Sequence, residues 1–155
     1  MADIVKYVNI SCPVDKVYNQ YTQFEEFPKF MSDVTSVRQL DDKRLHWVMD
    51  IAGVRREFHT EITEQIPEKR IAWKSLDGPE QSGVVTFHRL SDGETRVTLQ
   101  LTYDAEGFAE NVASGLGVVD YRVQQELENF KQFIETRGRE TGTWRGEIPA
   151  PHERS

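Results

Sequence analysis

The chain has 155 residues, of which 37% are hydrophobic and 29% charged, and its formal net charge is −7. This length suits one domain with one core. No apolar run approaches the roughly 20 residues needed to cross a bilayer, so we expect no stable membrane insertion. Because non-specific nucleic-acid binding needs a basic face, we expect no nucleic-acid partner. The first residues lack a secretory signal and Cys12 is the sole cysteine, which predicts a cytoplasmic location.

The first part of the chain predicts one strand followed by two short helices. Residues 3–11 alternate apolar and polar positions, as in a half-buried strand that Pro13 ends. An apolar stripe at helical spacing then predicts a short helix, formed by Val14, Val17, Tyr18 and Tyr21. Aromatic residues also recur at helical spacing over residues 24–31. Pro28 limits this segment to a second short, bent helix.

Residues 34–103 predict six further strands in a meandering antiparallel sheet. The predicted strands cover residues 34–40, 44–51, 55–66, 70–76, 83–90 and 95–103. Turn-forming residues such as Gly53, Pro67 and Gly93 separate them. Alternation is clearest in the last strand, whose predicted inward face holds Val97, Leu99, Leu101 and Tyr103.

A long amphipathic helix over residues 118–136 is the clearest pattern. Its apolar residues recur at steps of mostly three and four positions, namely Leu116, Val119, Val123, Leu127, Phe130 and Ile134. Charged side chains, among them Arg122 and Glu126, are expected on much of the remaining helix surface. A helix of roughly 28 Å at 1.5 Å per residue can cross a sheet of this width. We therefore predict an α+β fold in which a seven-stranded curved antiparallel sheet wraps around the C-terminal helix, with two short helices between strands one and two.

The last residues are predicted to form a tail. Gly138 ends the helix, and the following sequence is polar, with Pro149 and Pro151 and no apolar period. The predicted division is a domain over residues 1–137 and a tail over residues 138–155. Trp144 and Ile148 are apolar exceptions in this tail. Trp144 could pack either against the domain or against a partner protein, and both alternatives stay open.

Several motifs resemble a known family. The predicted elements follow one another as one strand, two short helices, six strands and one long helix. The sequence also contains three local motifs: the aromatic 24–31 segment, Pro67 with Ile71 and Trp73, and Gly83, Val85 and Phe87 at alternating positions. These features resemble the polyketide cyclase/dehydrase branch of the START-like, helix-grip superfamily (SRPBCC, Bet v 1-like), and also its coenzyme Q-binding group. The resemblance covers about residues 3–137. It implies the helix-grip fold, while members with this fold include enzymes, lipid carriers and receptors.

The inward aromatic and sulphur-containing residues predict an internal apolar pocket. Such a pocket typically encloses roughly 300–1,000 Å³, and a solid core is the alternative. We expect a cavity because a sheet curled around one helix leaves more volume than small residues fill, with residues 24–31 as its lid. The predicted ligand-binding residues are Phe27, Phe30, Met31, Trp47, Met49, Phe58, Thr60, Trp73, Phe87, Leu99, Tyr103, Leu116, Val119 and Val123.

Polar candidates for chemistry are few. The hydroxyls of Tyr103 and Ser75 are weak candidates for a general acid or hydrogen-bond donor, since no base accompanies them in the pattern. Arg55 and Arg56 are expected in the loop between strands three and four. In the predicted strands, His46, His59 and His88 alternate with the apolar positions, so we expect their side chains to face solvent. We therefore predict no metal site and no cofactor.

These observations predict non-covalent binding of a small hydrophobic or aromatic molecule, of polyketide, quinone or lipid type. One alternative, implied by the family resemblance, is a cofactor-free polyketide cyclase or dehydratase. Another is a protein-interaction module that uses the tail around Trp144. The sequence leaves a homodimer open.

Overall fold

The structure of the protein is a computed structural model that describes residues 2–51, 53–104 and 115–149. Its helices are α1 (Val14–Tyr21), a 3₁₀ helix (Phe24–Lys29) and α2 (Gly115–Arg137). Its strands are β1 (Ala2–Ile10), β2 (Val34–Gln39), β3 (Arg44–Ile51), β4 (Val54–Ile66), β5 (Arg70–Ser75), β6 (Gln81–Ser91) and β7 (Glu94–Tyr103).

The seven strands form one antiparallel sheet in the order β1-β7-β6-β5-β4-β3-β2. Successive strands from β2 to β7 are neighbours, and β1 pairs with β7 along its whole length, from Ala2 opposite Tyr103 to Ile10 opposite Thr95. Register shifts interrupt β2, β4 and β6. Such bulges bend a strand and increase its twist, which helps the sheet to curl around α2. The predicted helix-grip fold is confirmed.

The main core lies between the concave face of the sheet and the helices. The apolar stripe of α2 enters it with Leu127, Phe130 and Ile134, each at most 2% exposed. The rings of Tyr21 in α1 and Phe30 after the 3₁₀ helix lie 5.4 and 5.3 Å from the ring of Phe130. Burial of each such side chain contributes about 1.5–3 kcal/mol, so this stripe anchors α2 to the sheet.

The elements differ in detail from the predicted ones. Helix α2 begins three residues earlier and ends one residue later than predicted. The second short helix is of the 3₁₀ type and ends at Lys29, because Pro28 lacks the N–H that a continued α-helix requires. Arg55 and Arg56 belong to β4 and not to a loop, since the turn after β3 is shorter than predicted.

Residues 138–149 run back over the domain after α2. The backbone of Gly138 is left-handed, with φ of 72°, a conformation that commonly ends a helix. The backbone N–H of Trp144 donates to the Thr22 hydroxyl at 3.1 Å, and the Trp144 side chain packs against the main core. Ile148 is buried and exchanges two backbone hydrogen bonds of 2.8 Å with Gln65. This segment thus contacts the domain itself, while the division at residue 137 stays a prediction.

Among the described residues, no helix has the length and apolar character needed to span a membrane.

Candidate functional site

An apolar cavity of about 140 Å³ lies between the concave face of the sheet, the 3₁₀ helix and α2. Its walls come from the six strands β2 to β7, from α1 and the 3₁₀ helix, and from α2. The volume is smaller than the predicted range because aromatic rings fill much of the space. The Trp47 ring, for example, lies 6.4 Å from the ring of Phe58 and 5.9 Å from that of Phe27. A cavity of roughly 150 Å³ holds a molecule of the size of benzene.

Many of the residues predicted to bind a ligand lie at this cavity. They are Phe27, Met31, Trp47, Met49, Phe58, Thr60, Trp73, Leu99, Tyr103 and Val123. Strand alternation explains their convergence, because every second residue of β3, β4 and β7 points to the concave face.

Three predicted residues lie elsewhere among the described part of the chain. The Phe30 ring packs between α2 side chains, 4.8 Å from the Phe133 ring, because it follows the end of the 3₁₀ helix. Phe87 packs 5.2 Å from the Tyr18 ring, on the side of the sheet that α1 covers. Ser75 does not line the cavity either, and its hydroxyl accepts a hydrogen bond of 3.0 Å from the Gln81 N–H.

Leu116 and Val119, the remaining two predicted ligand-binding residues, have side chains outside the described residues.

One polar contact is built into the wall of the cavity. The Trp47 indole N–H donates to the Thr60 hydroxyl at 2.9 Å, across neighbouring strands β3 and β4. Thr60 is 2% exposed. Because burying an indole N–H without an acceptor is costly, this hydrogen bond fixes the Trp47 ring as a cavity wall.

The position of Trp73 depends on a glycine in the adjacent strand. Gly83 lies opposite Trp73 in the β5–β6 register. A Cβ at Gly83 would meet the Trp73 ring at 2.7 Å and the Gln100 carbonyl oxygen at 2.8 Å. The absence of a side chain at Gly83 therefore leaves room for the Trp73 indole beside β6.

A group of charged residues, not predicted at the cavity, lies on one side of it. Glu126 and Arg122 project from α2, and Asp33 precedes β2. Arg122 donates to Asp33 in an ion pair, and the Asp33 carbonyl accepts a hydrogen bond of 2.8 Å from the Asp50 N–H. The expectation that Glu126 belongs to the polar surface of the helix is wrong, because Glu126 lines the cavity and one of its oxygens is shielded from solvent. Arg122 also lines the cavity, but its side chain stays 34% exposed while it pairs with the buried Asp33.

Glu126 is the most unusual member of this group. The residue as a whole is half-buried, but its Oε1 is shielded from solvent. Burial raises the pKa of Glu126 to about 8, and the negative charge of Asp33 and a hydrogen bond to it act in the same direction. The Arg122 charge opposes this. Near neutral pH the Glu126 carboxyl therefore holds a proton.

The other residues that sequence reasoning missed at the cavity are Tyr21, Val34, Gln81 and Leu101. Burial and the Glu126 charge raise the pKa of the Tyr21 phenol, so it stays neutral. For Glu126 a signal did exist in the sequence: it lies three residues after Val123 and four before Phe130, on the apolar stripe.

The three histidines in the described part of the chain, His46, His59 and His88, lie away from the cavity. His46 Nε2 is 2.6 Å from a Glu57 carboxylate oxygen, and His59 Nδ1 is 2.8 Å from one of Asp77. His88 is exposed. Within the described ranges, no three His, Cys, Asp or Glu side chains are grouped so that they could hold a metal ion.

Comparison with known proteins gives the family. The model of the family described as polyketide cyclase/dehydrase and lipid transport matches residues 10–132. An uncharacterized 17.2 kDa protein from the melC2-rnhH intergenic region of Streptomyces lincolnensis is 48% identical over 149 residues, which cover 96% of this chain and 99% of that protein.

Solved structures share the fold. The Zhui aromatase/cyclase from a Streptomyces species has a TM-score of 0.75 at 18% identity, with 92% of this chain and 99% of that chain covered. A START superfamily protein from Mycobacterium smegmatis has a TM-score of 0.69 at 16% identity, with 87% and 95% covered. The helix-grip architecture, the family match and the relative at 48% identity agree, and the chain belongs to the polyketide cyclase/dehydrase and lipid transport family.

Proposed function

We propose that the protein binds a small hydrophobic or aromatic molecule in the cavity between the sheet and α2. The observation that carries this proposal is an apolar space of about 140 Å³ between the concave face of the sheet and α2. A hydrophobic ligand bound there would remove the apolar side chains that line this space from water, and burial of apolar surface is favourable.

The walls set the character of the ligand. Trp47, Phe58 and Phe27 offer aromatic faces and edges, which suit a planar ring. A single-ring molecule fits the observed volume. A larger polyketide, quinone or lipid would require outward movement of the 3₁₀ helix, which contributes Phe27 to the wall.

Native mass spectrometry of gently purified protein and displacement of an apolar fluorescent dye test this proposal. We expect a retained compound or saturable dye binding that Val123→Phe abolishes, because the larger ring fills the cavity. Val5→Phe is the matched control, since Val5 is 61% exposed. Absence of both retained compounds and saturable dye binding in the unaltered protein would refute the proposal, as would equal binding by the Val123→Phe variant.

A second candidate function, cofactor-free cyclisation or dehydration of a β-keto substrate, is favoured by the Glu126 and Asp33 pair. Dehydration of a β-hydroxy ketone breaks a C–H bond and a C–O bond, forms a C=C bond and releases water. Protonated Glu126 could protonate the departing hydroxyl while the Asp33 carboxylate takes the α-proton. The proton then returns from Asp33 to Glu126.

Turnover of a β-hydroxy aryl ketone separates the two functions. If the protein is a dehydratase, we expect conjugated enone to form, and Glu126→Gln to abolish its formation while ligand binding persists. Tyr103→Phe tests the phenol at the cavity, and Ser75→Ala is the control away from it. Binding without enone formation by the unaltered protein would leave the binding function and refute the dehydratase.

A further inference from the structure

Resting on the proposed binding function, we propose that the side-chain amide of Gln81 donates a hydrogen bond to the bound molecule. Gln81 thereby selects aromatic molecules that carry an uncharged hydrogen-bond acceptor, such as a carbonyl oxygen, beside the ring. A cavity without this amide would instead favour the hydrocarbon of the same shape, since a buried polar group without a partner is costly.

Gln81 begins β6 and lies on the face of the sheet that encloses the cavity. Val85 and Phe87 occupy alternating positions of the same strand and are buried in the main core. Because side chains alternate between the two faces of a strand, Gln81 shares their side of the sheet. It lines the cavity together with Tyr103, its partner in the β6–β7 register. The Gln81 side chain is therefore part of the cavity wall.

The amide of Gln81 is uncommitted and accessible. The backbone N–H of Gln81 donates to the Ser75 hydroxyl at 3.0 Å, but within the described ranges its side-chain amide makes no hydrogen bond to the protein. Gln81 is half-buried, and its amide atoms, unlike Oε1 of Glu126, are not shielded from solvent. A molecule in the cavity can therefore meet this amide without breaking a hydrogen bond of the protein.

The backbone around Gln81 is held in place from both neighbouring strands. The Ser75 hydroxyl at the end of β5 accepts from the Gln81 N–H. On the other side, Gln81 pairs with Tyr103, and the Asp104 N–H donates to the Glu80 carbonyl at 2.9 Å. Binding thus has to order only the amide side chain and not the strand, which keeps the entropic cost of the contact low.

The surroundings of Gln81 favour an acceptor on the ligand. A side-chain amide has two N–H donors and one acceptor oxygen. Trp47 also brings an N–H to the wall, but that group already donates to the Thr60 hydroxyl. The N–H groups of Gln81 are therefore the uncharged donors that a ligand oxygen can use in this aromatic part of the wall.

The charged residues of the cavity lie on other elements than Gln81. Asp33 precedes β2, which three strands separate from β6, and Arg122 pairs with Asp33 from α2. The wall beside Gln81 is formed by Tyr103 opposite it and by Trp73, which lies opposite Gly83. A charged ligand group would lose its hydration there without a counter-charge, whereas a carbonyl oxygen gains a hydrogen bond and brings no charge.

Calorimetric titration with benzaldehyde and styrene tests the inference. Both molecules are planar and have the same ring, and a carbonyl oxygen of benzaldehyde takes the place of a CH₂ group of styrene. Gln81→Met keeps the length of the side chain and removes the amide. We expect it to weaken benzaldehyde about three- to tenfold relative to styrene, the loss of one neutral hydrogen bond. Gln81→Glu, whose ionised carboxylate only accepts, should lower the ratio as well.

Styrene binding reports on the cavity alone, so the test distinguishes Gln81 from the binding function. Failure of both molecules to bind the unaltered protein refutes the binding function and the inference together. Styrene binding with a benzaldehyde-to-styrene ratio that changes less than about twofold in both variants overturns only the role of Gln81. Gln100→Met is the matched control, because Gln100 is exposed on β7 and does not line the cavity, and we expect it to leave the ratio unchanged.

Discussion

Replacement of Glu126 by Gln should remove a pH dependence from the stability of the fold. Burial beside Asp33 raises the pKa of Glu126 from its ordinary value of 4.5 to about 8 in the folded state. Between these two pH values the folded protein binds more protons than the unfolded chain, so stability falls as pH rises. Below about pH 4.5 the carboxyl is protonated in both states and contributes no pH dependence.

The magnitude follows from the two pKa values. Their difference of about 3.5 corresponds to a loss of at most about 5 kcal/mol, fully expressed above pH 8. This is large compared with the 5–15 kcal/mol over which whole domains are stable. The neutral amide of Gln has nearly the same shape and no ionisable proton, so the variant should escape this loss.

Urea unfolding at about pH 5 and about pH 9 measures the effect. We expect the Glu126→Gln variant to match the unaltered protein within about 1–2 kcal/mol at the lower pH and to exceed it by several kcal/mol at the higher pH. Glu128→Gln controls for the loss of a negative charge on the same helix. A difference between Glu126→Gln and the unaltered protein that stays constant with pH, or that shrinks as pH rises, would refute the reasoning.

Three further changes test the packing around the site, each by urea unfolding. Phe130→Ala should cost about 3–5 kcal/mol because Phe130 is fully buried between α2 and the aromatic rings; a cost below about 1 kcal/mol would contradict this packing. Thr60→Val should cost about 1–3 kcal/mol, since it leaves the Trp47 N–H without its acceptor, and an unchanged unfolding curve would show that this bond contributes nothing. Ile148→Ala should cost about 2–5 kcal/mol if residues 138–149 are packed as described, whereas the exposed control Val5→Ala should change stability by about 0.5 kcal/mol or less.

The fold could be predicted because the chain repeats two simple periods. Apolar residues at every second position identify strands such as β7, and apolar residues recurring mainly at steps of three and four identify α2. These periods reflect burial, which the fold must satisfy along the whole length of an element. The ends of the elements were less predictable, because hydrogen bonds and turns set them locally, as at the 3₁₀ helix that Pro28 interrupts.

The apolar part of the candidate site was predictable for the same reason, but its polar part was predictable only for Glu126. Its position on the apolar stripe indicates that it faces the core, and a rule that assigns every charged residue of a helix to water overlooks this. The ion pair between Arg122 and Asp33 has no such signal, because the two residues lie 89 positions apart along the chain. No local pattern contains such a pairing. Phe30 and Phe87 show the converse limit, since an inward phase does not distinguish a cavity wall from solid core.

The order of the elements along the chain also has a consequence during synthesis. All seven strands are complete at Tyr103, yet the helix that fills their concave face ends at Arg137, and Ile148 reaches Gln65 later still. At roughly 5–20 residues per second, the ribosome needs about 2–7 seconds to add the helix. During that interval the aromatic wall of the cavity has no cover from α2, so apolar side chains that the native fold buries stay exposed on the nascent chain.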